Sequence, residues 1–267
     1  MAEVTQDTTQ QTTSYSDAVS QEMIEAGLFY GRKKSHTNPR MKQYVSTNRN
    51  GIEIIDLEKT AHFLEKAVAF VKEKFKEGAQ ALLVGTEPEA RAAILSLVDR
   101  FKLLYVTNRW AGGTLTNFKV ISKRVEYFRK LASDLEKGAL DKYTKKERLG
   151  IEREINRLRF LFGGLESFEK LPDVLIVINP AVHDAAVREA RKSKIPVIAL
   201  SNVDTDPRFI DYLVPGNDKS RKSIQFFLDK IGGGIAEGIS ARQVAVAAAA
   251  EKKEEKGDEV TAKKDGA

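Results

Sequence analysis

The sequence predicts an α/β fold: a parallel sheet with helices on both faces, interrupted by an inserted antiparallel helical hairpin. Three observations predict it. Ala81-Leu82-Leu83-Val84, Val174-Leu175-Ile176-Val177-Ile178 and Val197-Ile198-Ala199-Leu200 are continuous apolar runs, as strands buried on both faces require. Segments of helical period separate them, which is the pattern of right-handed βαβ units. Between Leu103–Val106 and Val174 lies a long stretch whose apolar residues repeat at coiled-coil spacing instead.

The elements follow in order. Residues 1–16 are rich in Thr, Gln and Ser and are expected to be a disordered extension. Asp17 to Ala26 suits a short helix ended by Gly27. Residues 27–51 are broken by Gly and Pro and read as a loop. Ile52–Ile55 reads as a strand, and Asp56 is placed to cap a helix Leu57–Glu77 that Gly78 terminates. Thr86-Glu87-Pro88-Glu89 has capping-box spacing and opens a helix to about Arg100.

Phe118, Ile121, Val125, Phe128, Ala132 and Leu135 form one seam. Gly138 marks a break, and Thr144-Lys145-Lys146-Glu147 is a second capping box. Ile151, Ile155, Leu158 and Phe162 form the facing seam, closed by Gly163-Gly164. A helix is expected over Ala181–Lys192, a short strand at Leu213-Val214, and a last helix Asp218–Lys230 capped by Asn217. Gly232-Gly233-Gly234 reads as a hinge before an Ala/Glu/Lys tail. The expected domains are 17–117 with 165–232 as the α/β body, 118–164 as a coiled-coil insertion, and 233–267 as a flexible tail.

The chain has 267 residues, no cysteine and a formal net charge of +6. Without cysteine there is no disulfide, thiolate nucleophile or Cys-ligated zinc. The polar, acidic N-terminus does not read as a secretory signal, and no apolar run is long enough to span a bilayer, so a cytoplasmic protein is expected. The charge is uneven: residues 26–239 hold 38 cations against 27 acids. From Ala26 to Ile52 there is no Asp or Glu, yet Arg32, Lys33, Lys34, Arg40, Lys42 and Arg49 fall there. Unbalanced cations on a loop with Asn38 and Asn50 are an electrostatic footprint for a phosphate backbone. A second loop, Thr107 to Asn117, holds the only Trp. Arg109 offers a planar donor fork for phosphate, while Trp110 suits base stacking and packing of the hairpin root equally well.

Motifs for catalysis are weak. No phosphate loop and no dinucleotide fingerprint follow a strand, and no nucleophile elbow occurs. His36, His62 and His183 lack metal-ligand spacing. Asp204-Thr205-Asp206-Pro207 reads as an Asx turn rather than a magnesium site. No cofactor or metal is expected. The competing reading is an enzyme acting on a phosphorylated small molecule at the strand ends.

An ordered set of motifs adds to this: Asn38-Pro39-Arg40-Met41, Asn50-Gly51-Ile52, Ile55-Asp56-Leu57-Glu58-Lys59-Thr60 and Leu83-Val84-Gly85-Thr86. Arg109-Trp110-Ala111-Gly112-Gly113-Thr114-Leu115-Thr116-Asn117-Phe118, Leu171-Pro172-Asp173, Asp206-Pro207 and Pro215-Gly216-Asn217-Asp218 follow. In this set the chain resembles the bacterial small-subunit ribosomal protein number two, the universal S-two family, from about Ala26 to Lys230. The resemblance implies a Rossmann-like sheet with a projecting coiled coil and no catalysis. It also implies binding to small-subunit rRNA near the head–body junction, and docking of neighbouring small-subunit proteins including the large protein number one. Neither membrane nor DNA is an expected partner. The chain departs from the family pattern at Phe29 and Arg32, where a histidine pair is usual. It departs also at Thr37, where Trp is usual, and at Asn202-Val203-Asp204.

Overall fold

The computed structural model describes residues 20–138 and 143–262. The expected extension 1–16, and the start of the first expected helix, lie outside them. Helix α1 covers residues 20–26 and ends at Gly27, whose φ of 71° lets Leu28 N–H return to Met23 O at 3.1 Å.

The next segment corrects the expected loop. β1 (Tyr30–Lys33), β2 (Val45–Arg49) and β3 (Ile52–Ile55) form an antiparallel sheet in the order β1-β3-β2. Asn50 and Gly51, with φ of 52° and 79°, join β2 to β3 as a two-residue hairpin turn in which both central residues are left-handed. Gly31 allows β1 to lie against β3, since a Cβ there would meet Glu53 O at 2.6 Å. β1 and β2 carry no fully buried side chain, so no apolar alternation announced them.

α2 (Leu57–Glu77) begins as expected: Asp56 accepts from the N–H groups of Glu58 and Lys59, and Gly78 closes the helix at φ 87°. β4 (Ala81–Val84) follows. α3 (Pro88–Phe101) corrects the first capping box, because Glu87 is the N-cap, it makes no side-chain cap, and Pro88 starts the helix. β5 (Leu104–Val106) leads to α4 (Phe118–Glu136) and α5 (Lys145–Phe162). The second capping box forms, with Thr144 and Glu147 satisfying each other's backbone N–H. β6 (Val174–Ile178), α6 (Asp184–Lys192), β7 (Val197–Ser201) and β8 (Tyr212–Pro215) complete the sheet.

The sheet is parallel throughout, in the order β5-β4-β6-β7-β8. Numbered within the sheet this is 2-1-3-4-5, a doubly wound, Rossmann-like topology with its switch point between β4 and β6. Alternate residues serve opposite faces. Leu83, Ile176, Ile198 and Val214 pack with α2, α3 and the last helix. Leu82, Val84, Leu175, Val177 and Val197 pack with α6 and with Val125, Phe128, Ile155 and Leu158 of α4 and α5. Each such side chain stabilises the fold by about 1.5–3 kcal/mol relative to exposure.

The last helix also differs from expectation. α7 (Arg221–Ala262) does not stop at Lys230 but runs through Gly232-Gly233-Gly234. Gly232 and Gly234 are contact points inside this helix, Gly232 against Leu97 of α3 and Gly234 against α2, while Gly233 meets nothing within 4 Å. A Cβ at Gly234 would meet Val68 Cγ1 at 3.0 Å, and one at Gly238 would meet Lys72 O at 2.6 Å, so α7 lies close against α2. No helix among the described residues is long and apolar enough to cross a membrane.

Candidate nucleic-acid interface

The three-stranded sheet is a platform for cations. Its connecting turn, Pro39–Tyr44, is fixed at both ends. Asn38 Oδ1 accepts from Arg40 N–H at 3.0 Å, and Asn38 N–H donates to Val203 O at 2.8 Å. Met41 is fully buried against Ile55, Val203 and Leu213. Asn38 therefore builds the turn, and Asn50 makes the hairpin. Lys33, Lys34, Lys42 and Arg49 are exposed, and none of them has a carboxylate partner among the described residues. Arg40 is also exposed, with a loose 3.7 Å approach to Asp206.

Arg32 is the exception to the row of free cations. Its Nε donates to Asp204 Oδ2 at 2.9 Å and its Nη2 to Asp218 Oδ1 at 3.1 Å. Asn202 Nδ2 donates to the same Asp218 oxygen at 3.3 Å. Asp218 is fully buried, and burial pushes its carboxyl up to about 6 while the nearby guanidinium opposes that rise. The fork thus clamps β1 to the loops after β7 and β8. It is committed to positioning, with both carboxylates already on its donors and a quarter of the side chain left exposed. Asp204 belongs to this clamp; Asp206 alone makes the expected Asx turn, accepting from Arg208 N–H at 3.2 Å.

The switch point is where a doubly wound sheet holds a ligand. Here His183 Nε2 accepts from Thr86 N–H at 3.1 Å and lies 3.0 Å from Thr86 Oγ1, while Nδ1 is 2.9 Å from Asn179 O. Nδ1 then carries the proton, and burial holds the ring neutral by lowering its pKa below the ordinary 6.5. Both the N–H and the Oγ1 of Thr86 are committed to His183. His36 and His62 are exposed and lie on other elements.

The Trp loop is organised by a residue that sequence reasoning missed. Glu189 of α6 accepts from Trp110 Nε1 at 3.0 Å, Gly113 N–H at 2.8 Å and Leu115 N–H at 3.0 Å. Burial raises its pKa, but these donors together overcome that and leave it low. Trp110 is half-buried against the core shared with α4 and α5, which makes its packing role concrete. Arg109 and Asn117 are exposed on either side. No local signal marks Glu189, because its partners lie more than seventy positions away in sequence.

Comparison with known proteins agrees with this architecture. The model of the family described as ribosomal protein S2 matches residues 23–238. The small ribosomal subunit protein uS2 of Dictyoglomus thermophilum is 41% identical over 222 residues, covering 83% of this chain and 90% of that protein. Its counterpart in Dictyoglomus turgidum matches with the same identity and coverage. With the motifs in order, the fold complete and the match spanning most of both chains, this chain belongs to the ribosomal protein S2 family.

Proposed function

We propose that the chain is a structural, non-catalytic component of the small ribosomal subunit that holds rRNA by its exposed cations. The observation that carries this reading is the platform of Lys33, Lys34, Lys42 and Arg49, free of carboxylate partners among the described residues and anchored by Arg32 and Met41. Rigidly mounted cations neutralise backbone phosphates and read shape more than base sequence. Arg40 and Arg109 extend the surface, with Asn50 and Asn117 beside them and Trp110 available at its exposed edge. The phosphorylated-small-molecule reading is weaker, because His183 already occupies the backbone donor at the switch point.

In this reading residues 118–164 form an antiparallel coiled-coil insertion in a body made of 17–117 and 165–232. The opposed seams of α4 and α5 support it, since Val125, Phe128, Ile155 and Leu158 share one buried cluster. The outer faces of these helices, and the α/β body, serve neighbouring small-subunit proteins, the large protein number one among them by family resemblance. The test is direct binding. The purified chain should bind transcribed small-subunit rRNA with an affinity that falls steeply between about 50 and 200 mM salt, and should not bind ATP tightly. Tight ATP binding with no rRNA binding would reverse the assignment.

A further inference from the structure

The carboxyl edge of the sheet carries a second cationic feature that the motifs do not mark. A cleft of about 320 Å³ opens beyond the end of β5, lined by Thr107, Asn108, Arg91 of α3, Arg159 and Phe160 of α5, and Glu166. Arg91 and Arg159 are exposed, and neither has a carboxylate partner among the described residues. Glu166 is the only acid in the lining, so the cleft keeps a net positive charge. Phe160 is 54% exposed, so one face of its ring is open at the cleft.

The walls are firmly built. Asn108 Nδ2 donates to Phe160 O at 3.0 Å, tying the end of α5 to the end of β5. The turn after α5 lies so close to β5 that a Cβ on Gly164 would meet Tyr105 O at 2.1 Å. One face of α5 carries Lys146, Leu149, Arg153, Arg157 and Phe160 at helical spacing, and Phe160 at its end lines the cleft.

Placement gives the cleft its partner. In a parallel sheet all strand ends of one kind lie on one edge. The Arg32 clamp sits after β7 and β8, and the cleft sits after β5, at the opposite side of the same edge. Three to four strand spacings separate them, or about 14–19 Å. A single polyanion lying along that edge would reach both the cleft and the exposed Lys33 and Lys34 that follow Arg32 on β1 and the turn after it.

We infer that this cleft is a second RNA-contact site, in which Arg91 and Arg159 hold backbone phosphates and Phe160 stacks on an unpaired base. It rests on the rRNA-binding reading above and extends it to a second point on the sheet. Arginine forks suit phosphate oxygens, and an exposed ring beside them is the arrangement that single-stranded nucleic acid uses.

The test uses the full chain and transcribed small-subunit rRNA over a salt series. Arg91→Ala/Arg159→Ala removes two phosphate contacts and should lower the slope of log K against log salt by about 1.4–1.8. Arg91→Lys/Arg159→Lys should restore the slope. Phe160→Ala should weaken binding about tenfold with the slope unchanged. Unchanged slope and affinity in the double alanine variant, with an unaltered melting curve, overturns the inference. Loss of incorporation into subunits with normal rRNA binding overturns it too, by assigning the cleft to a protein neighbour. The two readings fail separately: Lys33→Glu/Lys34→Glu reports on the platform, and the Arg91 and Arg159 variants on the cleft.

Discussion

Lys33→Glu/Lys34→Glu is expected to lower the affinity for small-subunit rRNA by about 10- to 100-fold near physiological salt, and to leave the fold intact. Both side chains are exposed on β1 and the turn after it, and neither makes an ion pair among the described residues. Surface substitutions away from caps, cores and buried pairs change stability by only about 0.5 kcal/mol. The loss should therefore appear in binding and not in urea unfolding. Filter binding over a salt series checks it. A variant that binds with full affinity and an unchanged salt slope would remove the platform from the interface.

Arg32→Met is expected to do the opposite, damaging stability first and binding second. The guanidinium is three-quarters buried and neutralises Asp218, whose side chain is fully buried. Removing one member of such a pair strands the other charge and costs roughly 3 kcal/mol. The loss should shrink toward acid pH. Asp218 titrates near 6 in the folded chain against 3.8 normally, because burial disfavours the carboxylate. The folded state thus holds that proton more tightly than the unfolded one. The stability this provides is full below about 4 and is lost as pH rises through 6. Without Arg32 the carboxyl rises further, so the variant should approach the wild type near about pH 5 and diverge from it near about pH 7. His183, with its lowered pKa, acts in the reverse sense in both proteins and cancels in the comparison. Urea midpoints at the two pH values measure the difference.

Arg32, Lys33 and Lys34 looked alike in the sequence, and the contrast between them shows what could be read there. Charge counting sees that no acid lies between Ala26 and Ile52. It does not see that Asp204 and Asp218, 172 and 186 positions away, reach Arg32 in space. Glu189 was invisible for the same reason. The central strands were legible because burial on both faces leaves an unbroken apolar run, as in Val174–Ile178. α2 was legible because its cap Asp56 and stop Gly78 are adjacent in sequence to the helix they bound.

β1 and β2 were not legible, since strands with exposed side chains are defined by their pairing to β3 and carry no pattern of their own. The left-handed Asn50-Gly51 turn was the available clue to that hairpin. The glycines of α7 misled in another way. Glycine costs a helix about 1 kcal/mol relative to alanine, which argues for a break, but here it permits the close contact with α2.

The central claim is that positive side chains on a fixed platform attach this chain to the small subunit. The most direct measurement is co-sedimentation of the native protein with small ribosomal subunits at low and high salt. The protein should travel with the subunits at low salt and leave them as salt rises, with Lys33→Glu/Lys34→Glu leaving at a lower concentration. Free protein at every salt concentration, or attachment indifferent to both salt and the charge reversal, would contradict the claim.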